Sequence, residues 1–191
     1  MRPSAALLFC LICLPGVGNA GVFDLATFSC EGYENQILNP SAVGQTEDAV
    51  NFSMWLFGFA VGRSGGHSIY SNGLQTFGTA LDDECRRRPA AMLQDALKSI
   101  NPANSSPMDL KEVDCTAFEA RNSDLAKTDP YSARTIRMWL YGFAVGAAGG
   151  RVLDTNGLDD FDRSFTKQCG LHARGSLFDT LTAARMRKKF R

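Results

Sequence analysis

The stretch Met54–Gly66, MWLFGFAVGRSGG, returns as Met138–Gly150, MWLYGFAVGAAGG, with ten of thirteen positions identical. Residues around the two copies recur at the same spacing, because Cys85 and Cys169 are also 84 positions apart. A period of 84 residues is longer than the roughly 20 to 50 residues of solenoid repeats. The chain is therefore predicted to be a duplication of one small unit.

Composition breaks divide the chain into four segments. Residues 1–20 combine Arg2, the apolar run Ala5–Leu14 and the small residues of GNA before Gly21, which is typical of a cleavable secretory signal peptide. Residues 101–107, NPANSSP, carry two prolines and no apolar periodicity, as a linker does. We predict a first unit over 21–100, a second unit over 108–191, and a periplasmic or secreted location.

The cysteine pattern predicts disulfide bonds. Loss of the signal peptide removes Cys10 and Cys13 and leaves two cysteines in each unit. Free thiols are disfavoured in an oxidising compartment, and a four-cysteine metal site lacks a close CxxC pair. Because a duplicated unit must close its own bridge, the predicted pairs are Cys30 with Cys85 and Cys115 with Cys169. Each bridge closes a loop of about 55 residues, worth on the order of 4 kcal/mol in the chain-entropy model.

The apolar pattern predicts an all-α protein made of two tandem small four-helix units. No segment alternates apolar and polar residues as a strand does. From Ala49 the first repeat is apolar on every side, with Thr46 as its predicted N-cap, which is typical of a buried central helix. Each copy contains two glycines at a GxxxG spacing. We predict that these four residues allow close packing of a neighbouring helix: Gly58, Gly62, Gly142 and Gly146.

Further helices complete each unit. Helices are predicted over Ala90–Ile100 and from Asn156 to Cys169. On the helix before Pro89, the carboxylates at 82–84 diverge around the axis and are interpreted as a solvated face. The arginines at 86–88 are interpreted as a solvated helix end, with an anion-binding patch as the alternative.

Candidates for catalysis are few. His67 and His172 are the histidines of the chain, and neither has the spacing of a metal ligand or stands at an equivalent repeat position. The sequence has no P-loop. We therefore predict no catalytic residues, no metal, no cofactor and no enzymatic activity.

The order of a cysteine, the Trp55–Phe59 helix, a second cysteine and Pro89 before an apolar last helix resembles the HdeA/HdeB-like superfamily of small exported helical proteins. The glycine-rich core helix is also similar to Tai/Rap-type immunity proteins. The first resemblance implies a chaperone for acid or envelope stress, and the second implies an inhibitor of a toxin or enzyme in the same compartment.

The expected function is binding of other proteins, either unfolded clients or one specific partner. For the chaperone, protonation of the carboxylates below about pH 3 to 4 leaves strong positive self-repulsion that loosens the helices. This would expose a latent apolar surface: Met54, Trp55, Phe57, Phe59, Met138, Trp139, Tyr141 and Phe143. For the inhibitor, the loops Gly65–Ser71 and Gly149–Thr155 would contact the partner. No nucleic-acid partner is expected, and the basic tail from Arg185 is a candidate for weak contact with a membrane surface.

Overall fold

The computed structural model describes residues 22–38, 45–69, 72–100, 108–154, 157–171 and 175–183. The predicted signal peptide, linker and basic tail, and His172, lie outside these residues. In the first half of the chain the elements are β1 (Val22–Asp24), α1 (Cys30–Tyr33) with a π-helical turn (Glu34–Leu38), α2 (Gln45–Arg63), β2 (Ser68–Ile69), α3 (Gly73–Arg87) and α4 (Leu93–Ser99). In the second half they are β3 (Met108–Asp109), α5 (Cys115–Thr128), α6 (Pro130–Ala148), β4 (Val152–Asp154), α7 (Gly157–Leu171) and α8 (Leu177–Thr182).

Short polar side chains start the helices. Ser29 and Asp114 stand at equivalent positions before α1 and α5, and each accepts a hydrogen bond from the backbone N–H three residues later. Asp129 caps α6 with Pro130 at its first turn, and Ser176 caps α8. At the other end of α6, Gly149 adopts the left-handed conformation, with φ of 76°, which favours glycine.

The all-α class and both disulfide pairs are confirmed. Cys30 on α1 bonds to Cys85 on α3, and Cys115 on α5 bonds to Cys169 on α7, with Cα separations of 4.9 and 5.4 Å. All four cysteines are buried. Each bridge ties the first helix of a half to the helix that follows the repeated core helix.

Two helix starts differ from the prediction. Helix α2 begins at Gln45, so Thr46 lies inside the first turn instead of capping it. Helix α4 begins at Leu93 and not at Ala90. The reason is that the carbonyls of Pro89 and Ala91 accept hydrogen bonds from the first N–H groups of α1, which holds this segment as a turn against α1.

Four short strands were not predicted, and they join the two halves. Strand β1 pairs antiparallel with β4, with Phe23 opposite Leu153, and β2 pairs antiparallel with β3, with Ile69 opposite Met108. In each pair the strand that opens one half lies beside the strand that follows the core helix of the other half. The two pairs are therefore equivalent under the sequence repeat, and the halves hold each other reciprocally.

The repeated helices α2 and α6 pack on each other through the four glycines. A Cβ atom on Gly58 or Gly62 would overlap the carbonyl oxygen of Trp139 or Phe143. Gly142 and Gly146 stand in the same relation to the carbonyls of Trp55 and Phe59. Because a step of four residues along one helix matches a step of four along the other, the two helices run parallel. They are related by an approximate two-fold axis, like the subunits of a dimer.

The halves share one core. The buried apolar side chains of α2, α3, α4, α6, α7 and α8 form a single cluster that continues across the α2–α6 contact. The fold is consequently a dimer-like arrangement within one chain. Among the described residues, no helix combines the length and the apolar character that crossing a membrane requires.

Candidate functional site

The α2–α6 contact, which we call the seam, contains the residues predicted to form a latent apolar surface. Seven of them are at most 4 % exposed, and Met54 is half-buried. Rings of one half reach those of the other, because Phe57 lies 6.2 Å from Trp139 and Trp55 lies 6.5 Å from Tyr141, centroid to centroid. The structure therefore brings together residues that stand 82 and 86 positions apart in sequence and buries them between the halves.

A cavity of about 480 Å³ opens on one side of the seam. Its walls come from both halves and are almost entirely apolar: Met54, Phe57 and Leu74 from the first half, and Met108, Phe118, Leu125, Ile136, Trp139, Leu140 and Leu177 from the second. Arg121 and Asn122 of α5 supply the polar part of the lining. This volume lies within the range of roughly 300 to 1,000 Å³ that is typical of small-molecule sites.

Aromatic side chains occupy the equivalent place on the other side of the seam. There Phe52 packs against Phe23, Phe28, Tyr33 and Trp55, at centroid distances of 5.0, 6.0, 6.4 and 6.3 Å. Three of these aromatic residues have a non-aromatic residue at the equivalent position of the second half. Ile136 replaces Phe52, Met108 replaces Phe23 and Val113 replaces Phe28. The side chains that line the cavity therefore differ from those at several equivalent positions of the other half.

Two polar atoms of the cavity lining have no hydrogen-bond partner among the described residues. They are the Nε1 donor of Trp139 and the Oδ1 acceptor of Asn122, both on buried residues. The equivalent Trp55 Nε1 is also without a partner, so the tryptophan is common to both sides. Asn122 is particular to the cavity side, because Ile37 stands at its equivalent position.

Two ion pairs connect the halves beside the strands. Asp24 of β1 lies 3.3 Å from the Arg151 guanidinium, and Asp109 of β3 lies 2.9 Å from Nδ1 of His67. These pairs are equivalent under the repeat, and we call them the latch pairs. A backbone hydrogen bond from Lys111, followed by the His67 contact, lowers the pKa of Asp109. These contacts favour the ionised form of Asp109.

The loops that follow the core helices are engaged within the molecule. His67 and Arg151 form the latch pairs, and their carbonyls accept hydrogen bonds from Leu110 and Leu25 at 2.7 and 3.0 Å. The sequence predicts these loops as a partner surface of an inhibitor. Within these loops, residues 67–69 and 151–154 also contact the other half.

An ion cluster joins α5, α6 and α7 in the second half. Arg137 pairs with Glu119, and its guanidinium lies 5.2 Å from the Phe165 ring centroid and 3.7 Å from Asp162. Thr166 donates a hydrogen bond to Glu119 at 2.8 Å. Burial raises the pKa of Asp162 although Arg137 opposes the shift.

The first half has Ser53 where the second has Arg137. Burial raises the pKa of Asp82 there, although the Arg86 charge opposes the rise. Burial and the charge of Asp82 raise the pKa of Tyr33 to about 12. Each half therefore holds a carboxyl group whose pKa is raised by burial and opposed by an arginine charge.

The predicted solvated carboxylate face on α3 is only partly correct. Asp83 is exposed, but Glu84 is 5 % exposed and pairs with Arg87 and Arg88. The reason is that Glu84 precedes Cys85, whose bridge to α1 draws this turn of the helix into the core. Two of the three arginines therefore form ion pairs with Glu84. This pairing weakens the interpretation of the arginines as an anion-binding patch.

His67 contacts Asp109 in a latch pair and the edge of the Phe178 ring at 6.0 Å. No group of three or more His, Cys, Asp or Glu side chains suited to hold a metal occurs within the described ranges. The arrangement is suited to binding through apolar contacts.

Sequence reasoning missed the cavity residues of α5, Arg121, Asn122 and Leu125, and the role of Ile136. A position-by-position comparison of the two halves contains the signal, since Phe52 and Ile136 differ two positions before the repeated stretch. The latch pairs also match, because Asp24 and Asp109 are 85 positions apart.

Comparison of the chain with protein-family models, with curated proteins and with solved structures finds no match. The resemblance to the HdeA/HdeB-like superfamily therefore stays a prediction. The two disulfides indicate an oxidising compartment of the kind reached by export.

Proposed function

We propose that this is an exported, periplasmic protein that binds other proteins as an acid-responsive chaperone, with the seam as its client surface. The observation that carries the proposal is where the disulfides and the apolar side chains lie. The predicted client-binding side chains lie between the halves, whereas both disulfides lie within a half. Separation of the halves would expose the aromatic residues without breaking a disulfide.

Acid would weaken the contacts between the halves. Protonation of Asp109 removes the negative charge that its latch pair with His67 uses. Because the pKa of Asp109 is lowered in the folded state, its contribution is present above the ordinary pKa of 3.8 and is lost as the pH falls through the lower folded value. The proposed release therefore belongs to strongly acidic conditions.

The same pH change spares each half. The disulfides persist in acid, because thiol exchange requires a thiolate. Asp82 and Asp162 have raised pKa values, so the folded state takes up their protons more readily than the unfolded chain. Their protonation favours the folded halves as the pH falls. Acid thus acts with opposite sign on the latch pairs and on these two carboxyl groups.

The test is light scattering from an acid-labile client protein brought to about pH 2 to 3 and then neutralised. Suppressed aggregation in acid, with none at pH 7, is the expected result for the oxidised 21–191 protein. Absence of suppression in acid would reject the chaperone function.

A locked variant tests whether the seam is the client surface. Val22 and Asp154 are directly opposite in the β1–β4 pair, a position suited to a cross-strand disulfide. Val22→Cys with Asp154→Cys should hold the halves together and abolish suppression, whereas each single variant should retain it. Full suppression by the oxidised, locked protein would show that clients bind elsewhere.

The alternative hypothesis, an immunity or inhibitor protein, requires a fixed partner surface at neutral pH. The loops assigned to that surface contribute their described residues to the latch pairs and strands. We therefore favour the chaperone.

A further inference from the structure

The cavity beside the seam differs from its counterpart in the residues that fill it. Phe52 and its aromatic neighbours fill the space on the first-half side. Ile136 and Met108 leave about 480 Å³ on the other side. Close packing is the rule in protein interiors, and a void of this size deprives its lining of contacts. An apolar occupant would restore them.

The polar groups of the lining stand together on α5. Asn122 is buried with an unpartnered Oδ1 atom, and Arg121 beside it is exposed at the edge of the cavity. Arg121 has no ion pair within the part of the chain that the structure describes. The opposite walls, from α2 and α6, are apolar except for the unpartnered Nε1 of Trp139. The site therefore has an apolar body and one cationic, hydrogen-bonding edge.

The comparison of the two halves singles out the same edge. The positions equivalent to Arg121 and Asn122 are Gln36 and Ile37. The half with the filled space thus has neither the cation nor the buried amide. In the second half, the aromatic side chains are absent and the charged edge is present at the same place.

We propose that this cavity binds a single-chain amphiphile with a carboxylate head, namely a medium-chain fatty acid. The alkyl chain lies between Phe57, Leu74 and Ile136, and the carboxylate accepts hydrogen bonds from the Arg121 guanidinium. Of the Asn122 amide, only the Nδ2–H group donates a hydrogen bond to the same carboxylate, since Oδ1 is an acceptor. The proposal does not depend on the chaperone function, since it concerns the folded protein at neutral pH.

The experiment is calorimetric titration of the oxidised protein at pH 7 with dodecanoate below its micellar concentration. Trp139 lies in the lining, so tryptophan fluorescence in a Trp55→Phe background gives a second readout. One dodecanoate per chain is the expected result. Dodecan-1-ol and dodecyltrimethylammonium, which share the alkyl chain, test the head group.

Three variants locate the site. Ile136→Phe restores the residue found at position 52 and should fill the cavity, weakening dodecanoate at least tenfold while the fold persists. Met108→Phe restores the residue found at position 23 and serves the same purpose at a more exposed position, should Ile136→Phe fail to fold. Arg121→Gln should weaken dodecanoate about tenfold, the effect of losing one charged hydrogen bond, and leave dodecan-1-ol unchanged.

Absence of dodecanoate binding would overturn the proposal. So would unchanged binding in a folded Ile136→Phe or Met108→Phe protein, which would place the ligand outside the cavity. Equal affinity for the ammonium and carboxylate amphiphiles, with no effect of Arg121→Gln, would reject the carboxylate head. A melting temperature and near-ultraviolet circular dichroism spectrum for each variant separate loss of the site from loss of the fold.

Discussion

Gly58 and Gly142 occupy the two positions where the backbones of α2 and α6 come closest. Helices normally stay apart by the thickness of their side chains, at about 8 to 10 Å between axes. Glycine removes that layer, so that the carbonyls of Trp139 and Trp55 lie where a Cβ atom would stand. The large rings then pack around the crossing. At this scale one missing methyl group decides whether the halves fit together.

Substitution at one of these glycines should separate the helices. We expect Gly58→Ala to lower the free energy of unfolding by about 3 kcal/mol, because the added Cβ meets rigid backbone and not a flexible side chain. Gly78→Ala on α3 is the matched control, since no heavy atom lies within 4 Å of its Cβ position. That change should stabilise the protein by about 0.5 to 1 kcal/mol. Urea denaturation measures both, and equal stabilities would contradict the close packing.

The signs of two aspartate pKa shifts predict opposite responses to pH. Asp109→Asn should lower the free energy of unfolding near neutral pH. The difference from the wild type should vanish as the pH falls below the ordinary pKa of 3.8, because the folded pKa of Asp109 is lowered. Asp162→Asn removes a group with a raised pKa. The free energy of unfolding of the wild type should rise relative to that of this variant as the pH falls from 7 to 4. Thermal unfolding between pH 2.5 and 7 tests both, and parallel curves would contradict the assigned shifts.

The side chain of Arg137 on α6 contacts both α5 and α7. Arg137 is 12 % exposed and Glu119 is 16 % exposed, so their charges are largely removed from water. Two rings, Phe118 and Phe165, lie 5.9 and 5.2 Å from the guanidinium. The first half has Ser53 at this position and aromatic packing around Phe52 instead. Equivalent elements of the two halves are thus held by different interactions.

Removal of one partner should cost more than removal of both. Arg137→Met is expected to destabilise the protein by about 2 to 4 kcal/mol, because it leaves Glu119 buried without its cation. Glu119→Gln combined with Arg137→Met should recover more than half of that loss. A double-mutant cycle from chemical denaturation measures the coupling. Strict additivity of the two changes would contradict the buried pair.

The strands show why element prediction was incomplete. Each has two or three residues, which is too short for apolar and polar positions to alternate recognisably. Their partners also lie in the other half of the chain, so no local turn signals the pairing. The helices, by contrast, were predicted with their disulfides, because apolar spacing and caps are local and repeat after 84 or 85 residues.

The whole molecule is arranged like a dimer whose subunits share one chain. Each half carries its own disulfide, and the seam, the strand pairs and the latch pairs join them without a covalent cross-link among the described residues. Duplication therefore places both partners at a high effective concentration. A contact that would be weak between separate copies becomes stable within one chain.

This arrangement predicts that the connecting segment is dispensable once the protein has folded. A protease site placed within 101–107 and cut at pH 7 should leave two fragments that elute together in size-exclusion chromatography, because the seam keeps them associated. The same cut in the Gly58→Ala protein should release the fragments more readily. Separation of the fragments of the otherwise unaltered protein at neutral pH would contradict the shared core.

The sequence by itself determined the duplication, the helical class, the disulfide pairs and the glycine spacing, since each depends on residue type and local spacing. Only the tertiary structure decided that α2 and α6 pack in parallel, that the strands cross between halves, and that one side of the seam is filled while the other is open. The cavity arises from the combined volumes of side chains such as Phe52 and Ile136 in a shared core. Their effect appears only when elements distant in sequence are brought together.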